Sequence, residues 1–198
     1  MGKIPATNRM VSAVMINPKN NDVVGSGQAI NFQVKIANLQ AGTFTNPDNT
    51  SYAAPQDLQG GQIVGHTHIT VQDLGGDANP TEPLSAEDFA FFKGINDNGD
   101  GQGTLSANLA EGLPDGNYRV CSMTSASNHQ PVIMPVAQRG AQDDCVRFSV
   151  GGNGNNNNNQ NGQQGGQGQG QGQAQNAQQG QGQAQNGQQG QGLSLIHI

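Results

Sequence analysis

Hydrophobic and polar residues alternate along much of the first 150 positions, the period-2 signature of strands with one buried face. The clearest run is Gln28 to Ala37, where Ile30, Phe32, Val34 and Ile36 share one face and Asn31, Gln33 and Lys35 the other. Met10 to Ile16 predicts an earlier strand, ended by the turn-forming stretch Asn17 to Asp22. Gln62 to Gln72 predicts a third strand, with Ile63, Thr67, Ile69 and Val71 on one side and Val64, His66, His68 and Thr70 on the other. Thr104 to Leu109 reads as another. Leu113 to Val120 reads as a turn at Asp115-Gly116 feeding a strand with Tyr118 and Val120 inward, and Val146, Phe148 and Val150 mark the last. Residues 40–61 and Asp73 to Pro83 are rich in Gly, Pro and Asn and read as surface loops. Ser85-Ala-Glu-Asp88 fits a helix N-cap, which predicts a short helix carrying Phe89 and Phe92 into the core. Short alternating strands separated by turns predict an all-β fold, an antiparallel immunoglobulin-like β-sandwich with long loops and at most one short helix. Tyr118, just after the turn, suits the tyrosine corner of such sandwiches.

Composition changes the picture at position 151. Every Asp, Glu, Lys and Arg lies before it, and Gly151 to Gly192 contains only Gly, Asn, Gln and Ala. Residues 1–150 therefore read as one folded domain. Residues 151–192 read as a disordered low-complexity tail, because they offer no apolar area to offset the entropy of ordering. The tail repeats itself, Gly170 to Gln179 recurring as Gly180 to Gln189 with Ala177 replaced by Gly187. Residues 193–198, Leu-Ser-Leu-Ile-His-Ile, break that composition and read as a translated sequencing-adapter end. The formal net charge of -6 and the scatter of eight Lys and Arg argue against a nucleic-acid partner. No window approaches the roughly 20 apolar residues of a membrane span.

The candidate chemistry is sparse. His66 and His68 share a strand face, and with the distant His129 they form a His-x-His plus His set of the kind that holds zinc or copper through neutral imidazoles. A fourth coordination position would stay open, with Asp88, Asp97 or Asp100 as acceptors behind the rings. The alternative is structural: the imidazoles hydrogen-bond loop backbone and pin residues 73–100 to the sheet. Asn96-x-Asn98-x-Asp100-Gly101 begins like a calcium loop, yet position twelve is Ala107 where a bidentate Glu is required, so a tight polar turn is the better reading. No nucleophile elbow, phosphate loop or dinucleotide fingerprint is present, so no catalytic residue is assigned. Cys121 and Cys145 fall on the outer faces of the last two long strands, where a disulfide is open to them, as are two free thiols. Asn49-Thr50-Ser51 is a glycosylation acceptor if the chain is secreted.

Ala53-Ala-Pro-Gln56, Val64-Gly-His-Thr-His68, Phe89-Ala-Phe-Phe-Lys-Gly94, Gly112-Leu-Pro, Asn128-His-Gln-Pro-Val132 and Pro135-Val-Ala-Gln138 together resemble a family of fungal secreted proteins. The resemblance covers roughly residues 3–150. Members often carry a small-subunit ribosomal protein name that reads as a propagated mislabel, a view the acidic charge here fits. The resemblance implies secretion. Together with the glycosylation acceptor and the flexible tail it leads to the expectation of an extracellular or cell-wall protein that binds rather than catalyses, with cell-wall polysaccharide or another extracellular molecule as partner. The alternative is a metal-binding protein or metal-dependent enzyme using His66, His68 and His129. It also implies that Met1 lies inside a longer chain, so the lack of an apolar leader does not speak against secretion. Secretion in turn favours the Cys121–Cys145 bridge.

Overall fold

A computed structural model describes residues 2–49 and 53–152. The expectations for the tail beyond Gly152, for residues 193–198, and for Thr50 and Ser51 of the glycosylation acceptor lie outside the described residues. Ten strands follow one another among the described residues: β1 (Ser12–Asn17), β2 (Val23–Val24), β3 (Ile30–Ala37), β4 (Leu39–Gln40), β5 (Asp57–Gln59), β6 (Gln62–Gly75), β7 (Phe91–Ile95), β8 (Thr104–Leu109), β9 (Gly116–Ala126) and β10 (Cys145–Val150). They form two sheets. One runs β1-β3-β8, and the other runs β2-β10-β9-β6-β4 with β5 and β7 also paired to β6. The expected sandwich is the observed fold. Pairing is antiparallel except for two short parallel contacts, β2 with β10 and β4 with β6.

The core lies between the sheets and is filled by the residues that the alternation selects. Ile30, Phe32, Val34 and Ile36 of β3 and Leu105 and Ala107 of β8 face Ile69 and Val71 of β6, Tyr118 and Val120 of β9, and Val146, Phe148 and Val150 of β10. Phe32 is fully buried, stacked on Phe91 at 5.5 Å between ring centroids and edge-on to Phe148 at 6.2 Å. The tyrosine corner is present, with the Tyr118 hydroxyl donating to the Pro114 carbonyl at 3.0 Å. β5 and β6 meet in a two-residue hairpin through Gly60 and Gly61. Both have positive φ, 58° and 82°, as the turn that matches strand twist requires. Gln56 is buried and accounts for part of the Ala53–Gln56 motif. Its amide donates to the carbonyls of Lys3 and Ile133 and accepts from the Ile133 N–H, joining three segments remote in sequence.

The short helix expected after Ser85 does not form. The Ser85 hydroxyl does accept the Glu87 N–H at 3.2 Å, so the capping signal is used, but in an isolated turn. Phe91 to Ile95 instead pair with β6, Thr67 opposite Ile95 through Val71 opposite Phe91. Strand geometry sends neighbouring side chains to opposite faces. Phe91 therefore packs against the core, while Phe92 and Phe89, expected inside, are 41% and 62% exposed.

Cys121 and Cys145 are directly opposed in the β9–β10 ladder and form a disulfide, leaving no free cysteine. The bridge spans 24 positions of sequence. Loop-closure entropy then gives an expected loss of about 3 kcal/mol for the double variant Cys121→Ser, Cys145→Ser, read as a lower urea midpoint. An unchanged midpoint would show that the bridge adds nothing to the ladder.

Candidate metal centre

The central strand β6 builds the site. Its register with β9 places Thr67 opposite Thr124, Ile69 opposite Ser122 and Val71 opposite Val120, and directs these residues toward the core side. His66 and His68 alternate with them and face the other way, as their positions in the strand dictate. They are nevertheless almost wholly enclosed, at 0% and 6% exposure. Two loops cover them. Thr43 N–H donates to the Gly65 carbonyl and Thr45 N–H to the Ser127 carbonyl, which lays residues 43–45 over that end of β6.

His129 comes from a turn closed by Ala126 N–H to the Gln130 carbonyl and by His129 N–H to the Ala126 carbonyl. Its φ is 66°, a left-handed conformation that costs a non-glycine residue about 1 kcal/mol and that clusters at functional sites. The turn brings its ring to 4.6 Å from that of His66, centroid to centroid, and 5.9 Å from that of His68. Sequence spacing proposed the trio, and the structure brings all three members together.

Hydrogen bonding fixes what these rings can do. His66 Nδ1 lies 3.2 Å from the Thr43 carbonyl, His68 Nδ1 3.1 Å from the Met123 carbonyl, and His129 Nε2 2.8 Å from the Thr45 carbonyl. A carbonyl only accepts, so each of these nitrogens carries a proton. The remaining nitrogens, His66 Nε2, His68 Nε2 and His129 Nδ1, present lone pairs when the rings are neutral. They converge: His66 Nε2 is 3.2 Å from His68 Nε2 and 3.0 Å from His129 Nδ1, and all three lie within 4.8 Å of one another. Three acceptors at such separations repel one another unless a cation sits among them. Metal–imidazole bonds of about 2.0–2.1 Å in tetrahedral array set ligand nitrogens roughly 3.3–3.4 Å apart, close to the separations of His66 Nε2 from the other two.

A proton on His66 or His68 is poorly suited to be that cation. Burial first, then the neighbouring His68 and His129 rings, push the His66 pKa down to about 4. Burial likewise lowers that of His68. An unfolded histidine titrates near 6.5, so between about pH 6.5 and 4 the unfolded chain binds more protons than the folded one, and folding stability falls as pH falls. The metal-free protein should therefore show urea midpoints that are level above about pH 7 and decline from pH 6.5 to 4.5. A midpoint that stayed level across that window would contradict buried, neutral His66 and His68.

The carboxylates expected behind the rings are elsewhere. Asp97 caps the Gly99 N–H, Asp100 accepts from Gln102 and Thr104, and Asp88 meets Gln72 through its backbone carbonyl. Backbone carbonyls of Thr43, Thr45 and Met123 do the orienting instead, and no sequence motif marks them. Phe44 stands edge-on to His66 at 6.1 Å and Phe92 stacks on His68 at 5.6 Å, with Phe89 against Phe92. Half-exposed aromatic rings thus border the centre.

Residues 13–151 match the CLU5d N-terminal domain family. The chain belongs to that family. Over 154 residues, 77% of this chain, the CLU5d domain is 57% identical to Pathogenicity cluster 5 protein d of Colletotrichum graminicola. It spans 32% of the length of that curated relative. The fungal family that the sequence motifs resemble is thereby supported, and neither match carries a ribosomal name. Two solved structures share the outline at a distance. The fibronectin(III)-like modules of Clostridium thermocellum CbhA are 9% identical, with 70% of this chain and 45% of theirs covered at a TM-score of 0.32. The soluble domain of PmoD from Methylocystis sp. is 10% identical, with 71% and 89% covered at 0.34. At these values neither bears on function.

Proposed function

We propose that this CLU5d domain binds a divalent transition metal, copper or zinc, through His66 Nε2, His68 Nε2 and His129 Nδ1. The observation that carries the reading is the carbonyl partner of each outer ring nitrogen, which turns the three inner nitrogens toward one another. An all-imidazole set suits copper and zinc. Calcium and magnesium call for oxygen ligands, and both thiols that could have softened the site are oxidised. Three protein ligands leave a further coordination position for an exogenous group. The test is equilibrium dialysis of the purified chain against Cu(II) or Zn(II), followed by elemental analysis. One equivalent per chain is expected; none would end the reading.

We place the domain outside the fungal cell, in the extracellular space or wall. A disulfide persists in oxidising compartments, and Asn49, the acceptor position for a glycan, is exposed. The relative's association with a pathogenicity cluster is compatible with an exported domain of this kind. Among the described residues no helix is long and apolar enough to cross a membrane. A second reading, attachment to wall polysaccharide, is favoured by the neighbouring exposed rings of Phe89 and Phe92, since clustered exposed apolar groups mark interaction sites. Failure to bind chitin, glucan and mannan alike would remove it.

A further inference from the structure

Opposite His66 lies a hydroxyl with no hydrogen-bond partner among the described residues. Ser125 is opposite His66 in the β6–β9 ladder, and Met123 is opposite His68, so both project on the histidine face of the sheet. Directly opposed residues bring their Cβ atoms to about 4.5–5.5 Å, which makes Ser125 an immediate neighbour of His66. It is completely buried, and its Oγ has no hydrogen-bond partner among the described residues. The other buried unpaired side-chain atom, Arg119 Nε, belongs to a guanidinium already held by Gln72 at 2.6 Å. Ser127, one step further along the same face, donates to the Val64 carbonyl. An unpaired buried hydroxyl is uncommon and points to a partner that is not part of the protein. Ser125 places a donor on the same face of the sheet as those rings.

We propose that Ser125 is a positioning residue of the metal centre, its hydroxyl donating a hydrogen bond to the exogenous ligand on the open coordination position. The inference rests on the metal reading above. It fixes the ligand class: a small oxygen or nitrogen donor that keeps a lone pair after binding the metal, with water or hydroxide as the smallest members. A purely structural metal site, closed by four protein ligands, would have no use for such a donor.

The test uses copper(II)-loaded wild type and Ser125→Ala with azide as the probe, because azide binds the metal through one end and keeps lone pairs that can accept a hydrogen bond. Titration is followed by the azide-to-copper charge-transfer absorption. Both proteins should hold one copper at saturation, and the variant should bind azide about tenfold more weakly, the worth of one net hydrogen bond. The metal-free variant should melt no lower than metal-free wild type, since the hydroxyl it loses is unpaired there. Equal azide affinities with copper bound would overturn the role of Ser125 and leave the metal site standing. So would a metal-free variant that melts several degrees lower or cannot retain copper, because the hydroxyl would then have a partner inside the protein. Absence of copper from the wild type would overturn the metal reading itself.

Discussion

Replacing His68 with alanine is expected to weaken copper or zinc binding by at least about 100-fold, more than is typical for losing a residue that merely orients a ligand. His68 is the member of the trio best suited to this test. His66 is fully buried and touches both other rings, so its loss would disturb packing and coordination together. His129 sits on a turn with positive φ, where backbone strain confounds the result. His68 lies at the edge of the cluster, against the half-exposed Phe92. Its removal frees the Met123 carbonyl but also relieves one lone-pair repulsion. The metal-free variant should accordingly melt within a few degrees of wild type. Saturating metal at about 1,000 times the dissociation constant stabilises a single-site protein by about 4 kcal/mol, a gain that wild type should show and the variant should lack. Equal metal-induced stabilisation in both would contradict coordination by His68.

The largest effect on folding is expected from Phe32→Ala, a loss of about 3–5 kcal/mol that would remove much of the stability typical of a domain. Phe32 links the sheets. It projects from β3 between Phe91 of β7 and Phe148 of β10, with no exposure at all. Three rings meeting across the layers leave little freedom to collapse around a missing one, so the residual cavity adds to the lost transfer energy. Urea unfolding should show a lower midpoint with an unchanged slope. A loss below about 1.5 kcal/mol would mean that the sheets close over the gap.

These two residues illustrate what the chain discloses in advance. Phe32 belongs to the uninterrupted alternation of Gln28 to Ala37, where one buried face and one wet face dictate both strand and orientation, and the structure follows it residue by residue. The same rule separates His66 and His68 from the apolar stripe of Ile63, Ile69 and Val71. What the alternation cannot convey is what covers the reverse face. The two histidines are enclosed because residues 43–45 and the turn at 126–130 fold over them, and those contacts are made by backbone carbonyls that any residue would supply.

The failed helix at Ser85 to Asp88 has a similar origin. A Ser followed by acidic residues caps a helix only if the following chain stays helical, and here the ladder with β6 captures Phe91 to Ile95. Adjacent Phe91 and Phe92 were the available clue, since in a strand one must point inward and the other outward. Ser125 is plain in sequence as one serine among several. Only the β6–β9 register makes it a neighbour of His66.

The most direct measurement is crystallographic: anomalous diffraction from crystals of the chain grown with Cu(II) or Zn(II), collected at the absorption edge of the metal. The account predicts one strong peak about 2.0–2.1 Å from His66 Nε2, His68 Nε2 and His129 Nδ1, with the outer nitrogens still on the carbonyls of Thr43, Met123 and Thr45. A map with no peak among the three rings, or with the imidazoles turned so that one inward nitrogen carries a proton toward another, would contradict it.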